Sequence, residues 1–218
     1  MKRFGAFVAT FCLLALAIPA GASVVSGVVT GGTAHAGGGT FVKLTAPWGS
    51  VSTPSNTVGS DNFGPDNKNL YAFDELQNFT LTANLATNIG LNPILAGTTV
   101  SSQFVTFEPN SSGVETLIGD VTFSAKVLAI ITEQGTLIAS NYLGAPGITY
   151  LDPAAVGLET GDTVTISGLY TIHWDTAASS PGDSVRVITA ATPEPGTMIM
   201  FGSGIIGLAG LLRRKINL

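Results

Sequence analysis

Two stretches of strict period-two alternation constrain the fold of this chain more than any other feature. From Asp120 to Thr132, Val121, Phe123, Ala125, Val127, Ala129 and Ile131 fall on one face, with Thr122, Ser124 and Lys126 on the other. Leu128 and Ile130 make the end of that stretch apolar on both faces. From Asp162 to Asp175, Val164, Ile166, Tyr170, Ile172 and Trp174 alternate with Thr163, Thr165, Ser167, Thr171 and His173. Successive side chains of a strand point to opposite faces, so this pattern predicts half-buried strands with one face on a core. Weaker strands are expected at Phe79–Leu85, Val100–Phe107, Leu137–Ser140 and Val185–Thr189. Turn chemistry separates them: Pro109-Asn110-Ser111-Ser112-Gly113, Thr160-Gly161-Asp162 and Ser180-Pro181-Gly182-Asp183. No long amphipathic helix interrupts the series. The expected fold is all-β, a β-sandwich or jelly roll.

The two ends do not share this pattern. Lys2 and Arg3 precede an apolar run from Phe4 to Ile18, which Pro19 breaks before the small residues Ala20-Gly21-Ala22. This is the three-part layout of a secretory signal peptide, with cleavage expected after Ala22. An uncleaved anchor is the alternative, but the run is short for a span of about 20 residues. Ala34-His35-Ala36 offers a second small-x-small site, further from the apolar run. Cys12, the only cysteine, lies inside the run. The cleaved chain would hold no disulfide, no thiol nucleophile and no cysteine-based zinc site. The Gly- and Thr-rich stretch from Gly27 to Thr40 reads as irregular. Residues 1–22 are therefore expected as signal, 23–40 as a flexible lead-in, 41–192 as the β body and 193–218 as a tail.

The tail has three consecutive parts. Pro193-Glu194-Pro195 is stiff and extended, because each proline fixes its own φ and biases its predecessor away from helix. Met198 to Leu212 carries no charge and would be about 22 Å long as a helix. Arg213, Arg214 and Lys215 close it with positive charge, which stays cytoplasmic by the positive-inside rule. The signal directs the body outward, so both ends predict the same orientation. This tail resembles the PEP-CTERM sorting signal of exported bacterial proteins, a tail also labelled an ice-binding protein C-terminal domain. That second label concerns the tail and not the body. The resemblance implies recognition, and cleavage near Pro193-Glu194-Pro195, by an exosortase-type membrane enzyme. The body is also similar to an uncharacterised group of such proteins, through Asn69-Leu70-Tyr71-Ala72-Phe73-Asp74-Glu75, Tyr150-Leu151-Asp152-Pro153 and Ala178-Ser179-Ser180-Pro181-Gly182-Asp183. That likeness implies no catalytic residue.

Charge narrows the function classes further. Between Ser23 and Thr192 there are four basic and thirteen acidic residues, a net charge of −9. Such a body repels nucleic acid and anionic lipid. Oxygen donors cluster in Asp61-Asn62-Phe63-Gly64-Pro65-Asp66-Asn67-Lys68-Asn69, with Asp74 and Glu75 close behind. Calcium prefers such ligands, so Asp61, Asp66, Asp74 and Glu75 are candidate metal residues, although the spacing is not that of an EF-hand. Asp and Asn are also ordinary turn residues. Trp48, Tyr71 and Trp174 are candidates for a carbohydrate-stacking platform, with core packing the competing role for Trp174. His173 precedes Trp174 and Asp175 on a polar strand face, but no nucleophile elbow accompanies it. No catalytic motif, phosphate loop or dinucleotide fingerprint occurs. The sequence thus points to a non-enzymatic cell-surface or extracellular-matrix protein that needs no cofactor. A polysaccharide- or calcium-binding module and a secreted hydrolase are the alternatives.

Overall fold

The computed structural model describes residues 21–45, 56–59, 67–109 and 113–192. The N-terminal apolar run, Trp48, Asp61, Asp66 and the tail, including Pro193, Glu194, Pro195, Arg213, Arg214 and Lys215, lie outside them. Numbered in chain order, the strands are β1 (Val24–Gly31), β2 (Phe41–Leu44), β3 (Thr57–Val58), β4 (Leu70–Asp74) and β5 (Phe79–Thr80). Next come β6 (Ile89–Gly90), β7 (Thr99–Phe107), β8 (Glu115–Phe123), β9 (Val127–Ile131) and β10 (Thr149–Tyr150). The last three are β11 (Thr163–Ile166), β12 (Thr171–Ala178) and β13 (Asp183–Ala190). Two short helices, α1 (Gly32–Ala36) and α2 (Gln134–Ala139), and a 3₁₀ turn at Asn141–Leu143 complete the described elements.

Two sheets form the all-β sandwich that the alternation predicts. The first has strand order β1-β8-β12-β11. The second runs β2-β4-β7-β13-β9-β6, with β5 also pairing β7. A third, two-stranded sheet pairs β3 with β10 in parallel. Between the main sheets lies an apolar core. Leu117, Val121, Phe123, Val164, Ile172 and Trp174 come from the first sheet, and Leu70, Ala72, Val105, Phe107, Val185 and Val187 from the second. The other face of the second sheet is covered as well. Phe73, Val100, Phe104, Ala129, Ile131 and Ile188 pack there against Leu81, Leu85, Ile94, Leu137 and Leu143.

This layering explains which strands alternate. β8 and β12 have one face in the core and one in solvent, so buried and half-exposed residues alternate along them. β7 and β13 are central and covered on both faces, so nearly every residue is buried. Such strands lack a period-two signal.

The long alternating stretches each divide. The 120–132 stretch is not one strand: the chain leaves the first sheet after Phe123 and enters the second at Val127. Leu128 is the extra residue of a bulge against β13, since Val127 pairs with Thr189 and Ala129 with Ile188. Apolar residues there occupy both faces because both are covered, Val127 and Ile130 by the inter-sheet core and Ala129 and Ile131 by the outer layer, while the bulge shifts the phase of the alternation. The 162–175 stretch folds back as the β11–β12 hairpin, pairing Val164 with Trp174 and Ile166 with Ile172. Ser167 N–H and Gly168 N–H both donate to the Thr171 carbonyl across the turn. Tyr170, expected on the apolar face, sits in that turn and is exposed.

Three further expectations are corrected. Leu137–Ser140 belongs to α2 and its end rather than to a strand. Phe79–Leu85 keeps only Phe79–Thr80 as strand. Residues 23–40 are no flexible lead-in: β1 pairs with β8 along its length, and Val24 and Ala34 are buried. Bulges at Val25 and Thr30 break the period of β1, which hides it from a pattern search. The compact unit accordingly runs from Ala22 to Ala191. Among the described residues no helix is long and apolar enough to cross a membrane.

Candidate functional site

The candidate residues fall into three environments, and most are committed to structure. Glu75 follows β4 and is buried, as is Arg186 in the middle of β13. Arg186 Nε donates to Glu75 Oε2 at 2.7 Å and Nη2 to Oε1 at 2.9 Å. Nη1 donates to the Leu137 carbonyl at 3.0 Å and Ser140 Oγ at 2.6 Å, and Nη2 reaches Asn141 Oδ1 at 3.2 Å. A guanidinium has five N–H donors, and all five are used. Ser102 Oγ also donates to Glu75 Oε2. The guanidinium lies over the rings of Phe104 and Tyr150, at 5.5 and 5.3 Å from their centroids. Burial works against its charge, but Glu75 outweighs that and holds the Arg186 pKa above its ordinary value. Burial, then Glu75, pushes the Tyr150 phenol upward. Both Glu75 oxygens thus accept hydrogen bonds in the interior. Asp74 bridges to Lys43 Nζ at 3.0 Å and accepts the Val24 N–H at 2.7 Å. Among the described residues no three His, Cys, Asp or Glu side chains group to hold a metal ion.

Two of the three aromatic candidates, Trp174 and Tyr71, are buried. Trp174 is fully buried opposite Gly119, and its indole N–H donates to Thr176 Oγ1 at 3.0 Å. A Cβ on Gly119 would lie 2.4 Å from the Val28 carbonyl oxygen, so only glycine fits beside β1 there. Tyr71 is buried too, with its hydroxyl accepting from Asn69 Nδ2. His173 stands on the solvent face of the first sheet, directly across from Asp120 on β8, with Nδ1 2.9 Å from Asp120 Oδ1. This is a half-exposed cross-strand pair.

A second environment surrounds Asp183 at the start of β13. Its turn closes with Gly182 N–H donating to the Ser179 carbonyl, one residue earlier than the sequence suggests. Gly182 has φ +82°, and a Cβ there would lie 2.4 Å from the Phe107 carbonyl oxygen. Asp183 is 2% exposed, and its Oδ2 has no hydrogen-bond partner among the described residues. Burial raises its pKa to about 7; Thr176 opposes this by hydrogen bonding, while the charges of Asp162 and Glu159 add to it.

The third environment is an open groove of about 270 Å³ on the outer layer of the second sheet. The loop of Thr82, Ala83, Asn84, Leu85 and Ala86 forms one side. Thr136, Ala139 and Ser140 from α2 and its end, with Tyr142 from the 3₁₀ turn, form the other. Tyr142 is 48% exposed and packs its ring against Phe79, with centroids 5.9 Å apart. Sequence reading missed this groove because α2 was expected as a strand.

Beyond the last strand, residues 191–215 match the PEP-CTERM protein-sorting motif. A motif of this kind is the C-terminal sorting signal of exported proteins that an exosortase-type enzyme processes. The match covers the C-terminal segment alone, and what it implies for the chain is export with anchoring in the membrane before release. No curated protein and no solved structure matches it.

Proposed function

We propose that this protein is a non-enzymatic component of the cell surface or extracellular matrix, delivered by its signal peptide and detached from its tail near Pro193-Glu194-Pro195. The observation that carries this reading is the junction of body and signal. β13 ends at Ala190 and the sorting motif begins at residue 191. The motif thus begins where the last described strand ends, so cleavage near Pro193-Glu194-Pro195 leaves every described strand in the body. Its charged centre supports a structural role: Arg186 and Glu75 satisfy each other in the interior and offer no group to a substrate. The signal peptide belongs to the same proposal. Cleavage after Ala22 leaves β1 whole, whereas cleavage after Ala36 would remove β1 and α1.

Fractionation of tagged full-length protein and a variant lacking residues 193–218 tests the proposal. The full-length form should reach the surface or medium in shortened form, and the variant should escape C-terminal processing. Identical processing and location of the two would overturn it. The hydrolase alternative rests on His173. His173→Ala should leave any hydrolytic activity of the purified protein unchanged; a loss of activity would instead favour that alternative.

A further inference from the structure

We propose that the groove between residues 82–86 and Tyr142 is a binding subsite for a neutral saccharide. The inference adds a ligand class to the surface role above and rests on that reading for its biological setting. Four observations converge on it. First, none of the nine lining residues is Asp, Glu, Lys, Arg or His, so the walls present no fixed charge to an ionic ligand. The nearest buried charges, Arg186 and Glu75, are turned to each other behind Ser140. Second, the lining pairs apolar surface with neutral hydrogen-bonding groups. Ala83, Leu85, Ala86 and Ala139 supply the former, and Thr82, Asn84 and Thr136 the latter. Ligand pockets combine apolar walls with a few placed polar groups in this way. Third, those polar groups are available. Asn84 uses Oδ1 to accept the Ala96 N–H at 3.0 Å, which fixes the side chain and leaves its amide N–H groups to donate. Fourth, Tyr142 brings a half-exposed aromatic ring to the lining, tilted against Phe79 with centroids 5.9 Å apart. A pyranose ring has an apolar C–H face and a rim of hydroxyls. It can lie on an aromatic ring while the hydroxyls meet neutral donors and acceptors. A volume of about 270 Å³ is below the usual range for drug-sized ligands and suits one or two sugar rings.

The test is calorimetric titration of the full-length protein with cellohexaose, maltohexaose and mannohexaose at neutral pH. At least one should bind. Tyr142→Ala should weaken that binding by about tenfold or more, through loss of the stacking surface. Tyr142→Phe should keep most of the affinity, and Asn84→Ala should weaken binding while the thermal midpoint reports that each variant is folded. Should Tyr142→Ala unfold, Thr136→Val on the facing wall serves in its place, with the same expected loss. No heat with any of the three sugars, or variants that bind as wild type does, would overturn the proposal. Sorting is read separately: Tyr142→Ala should still be processed and exported. A binding failure therefore leaves the surface role standing, and a sorting failure leaves the groove standing.

Discussion

At the scale of single residues, two buried charges dominate the energetics. Arg186 lies between Val185 and Val187 in a strand buried along most of its length, and it is held there by five hydrogen bonds. Removing one member of such a pair strands the other in a medium that solvates it poorly. Arg186→Met should therefore cost about 3–5 kcal/mol in urea unfolding. Arg186→Met combined with Glu75→Leu should cost clearly less than the two single changes added together, because no lone charge remains. Additivity would contradict the pairing. Asp183 behaves oppositely. Its folded pKa of about 7 lies above the ordinary value of 3.8, so the folded state retains a proton that the unfolded chain gives up. The stability this group contributes is complete below about pH 4 and is lost as pH rises to about 7. Asp183→Asn should flatten that part of the stability profile. It should raise stability at pH 8 by about 2 kcal/mol or more, because the neutral amide has no charge to desolvate where the ionised carboxylate does. Thermal melts across pH 4–8 check this; a parallel pH dependence in the variant would contradict it. Neither role was legible from the residues alone. A lone arginine among valines and an aspartate after Pro181-Gly182 read as a strand residue and a turn residue until the partners are known.

At the scale of elements, legibility followed solvent exposure. β8 and β12 each face water on one side, and alternation marked the end of β8 from Asp120, the start of β12 to Asp175 and the core position of Trp174. β7 and β13 were found only weakly, because a layer on each face removes the alternation. β1 was missed because two bulges interrupt its period and because its Gly27, Thr30 and Gly31 resemble a linker. α2 was missed because its six residues, Gln134–Ala139, are too few to display a helical period. The candidate site divides in the same way. The tail motif is contiguous and could be read directly, whereas the Tyr142 groove joins residues from two distant segments and needed the fold. The place of β1 also predicts a consequence for processing. It is an edge strand that pairs with β8 and contributes Val24 and Val29 to the core. A chain beginning at Gly37 should melt well below one beginning at Ser23, or aggregate through the exposed edge of β8. Equal thermal midpoints would show that β1 is dispensable.

At the scale of the whole molecule, the proposal gives the terminal segments and the sandwich separate tasks. The compact unit from Ala22 to Ala191 meets the expected signal cleavage at one end and the sorting motif at the other. Setting the terminal segments aside turns a chain of net charge −5 into a body of −9, with its apolar groups in two layers of core. The central claim is that this body is delivered by the first segment and released from the last. The most direct test is the intact mass of the protein recovered from outside the cell. The account predicts a chain that begins at Ser23 and ends near Pro193-Glu194-Pro195, without Met198–Leu212 or Arg213-Arg214-Lys215. A recovered chain that starts at Gly37, or one that keeps the whole tail, would contradict it.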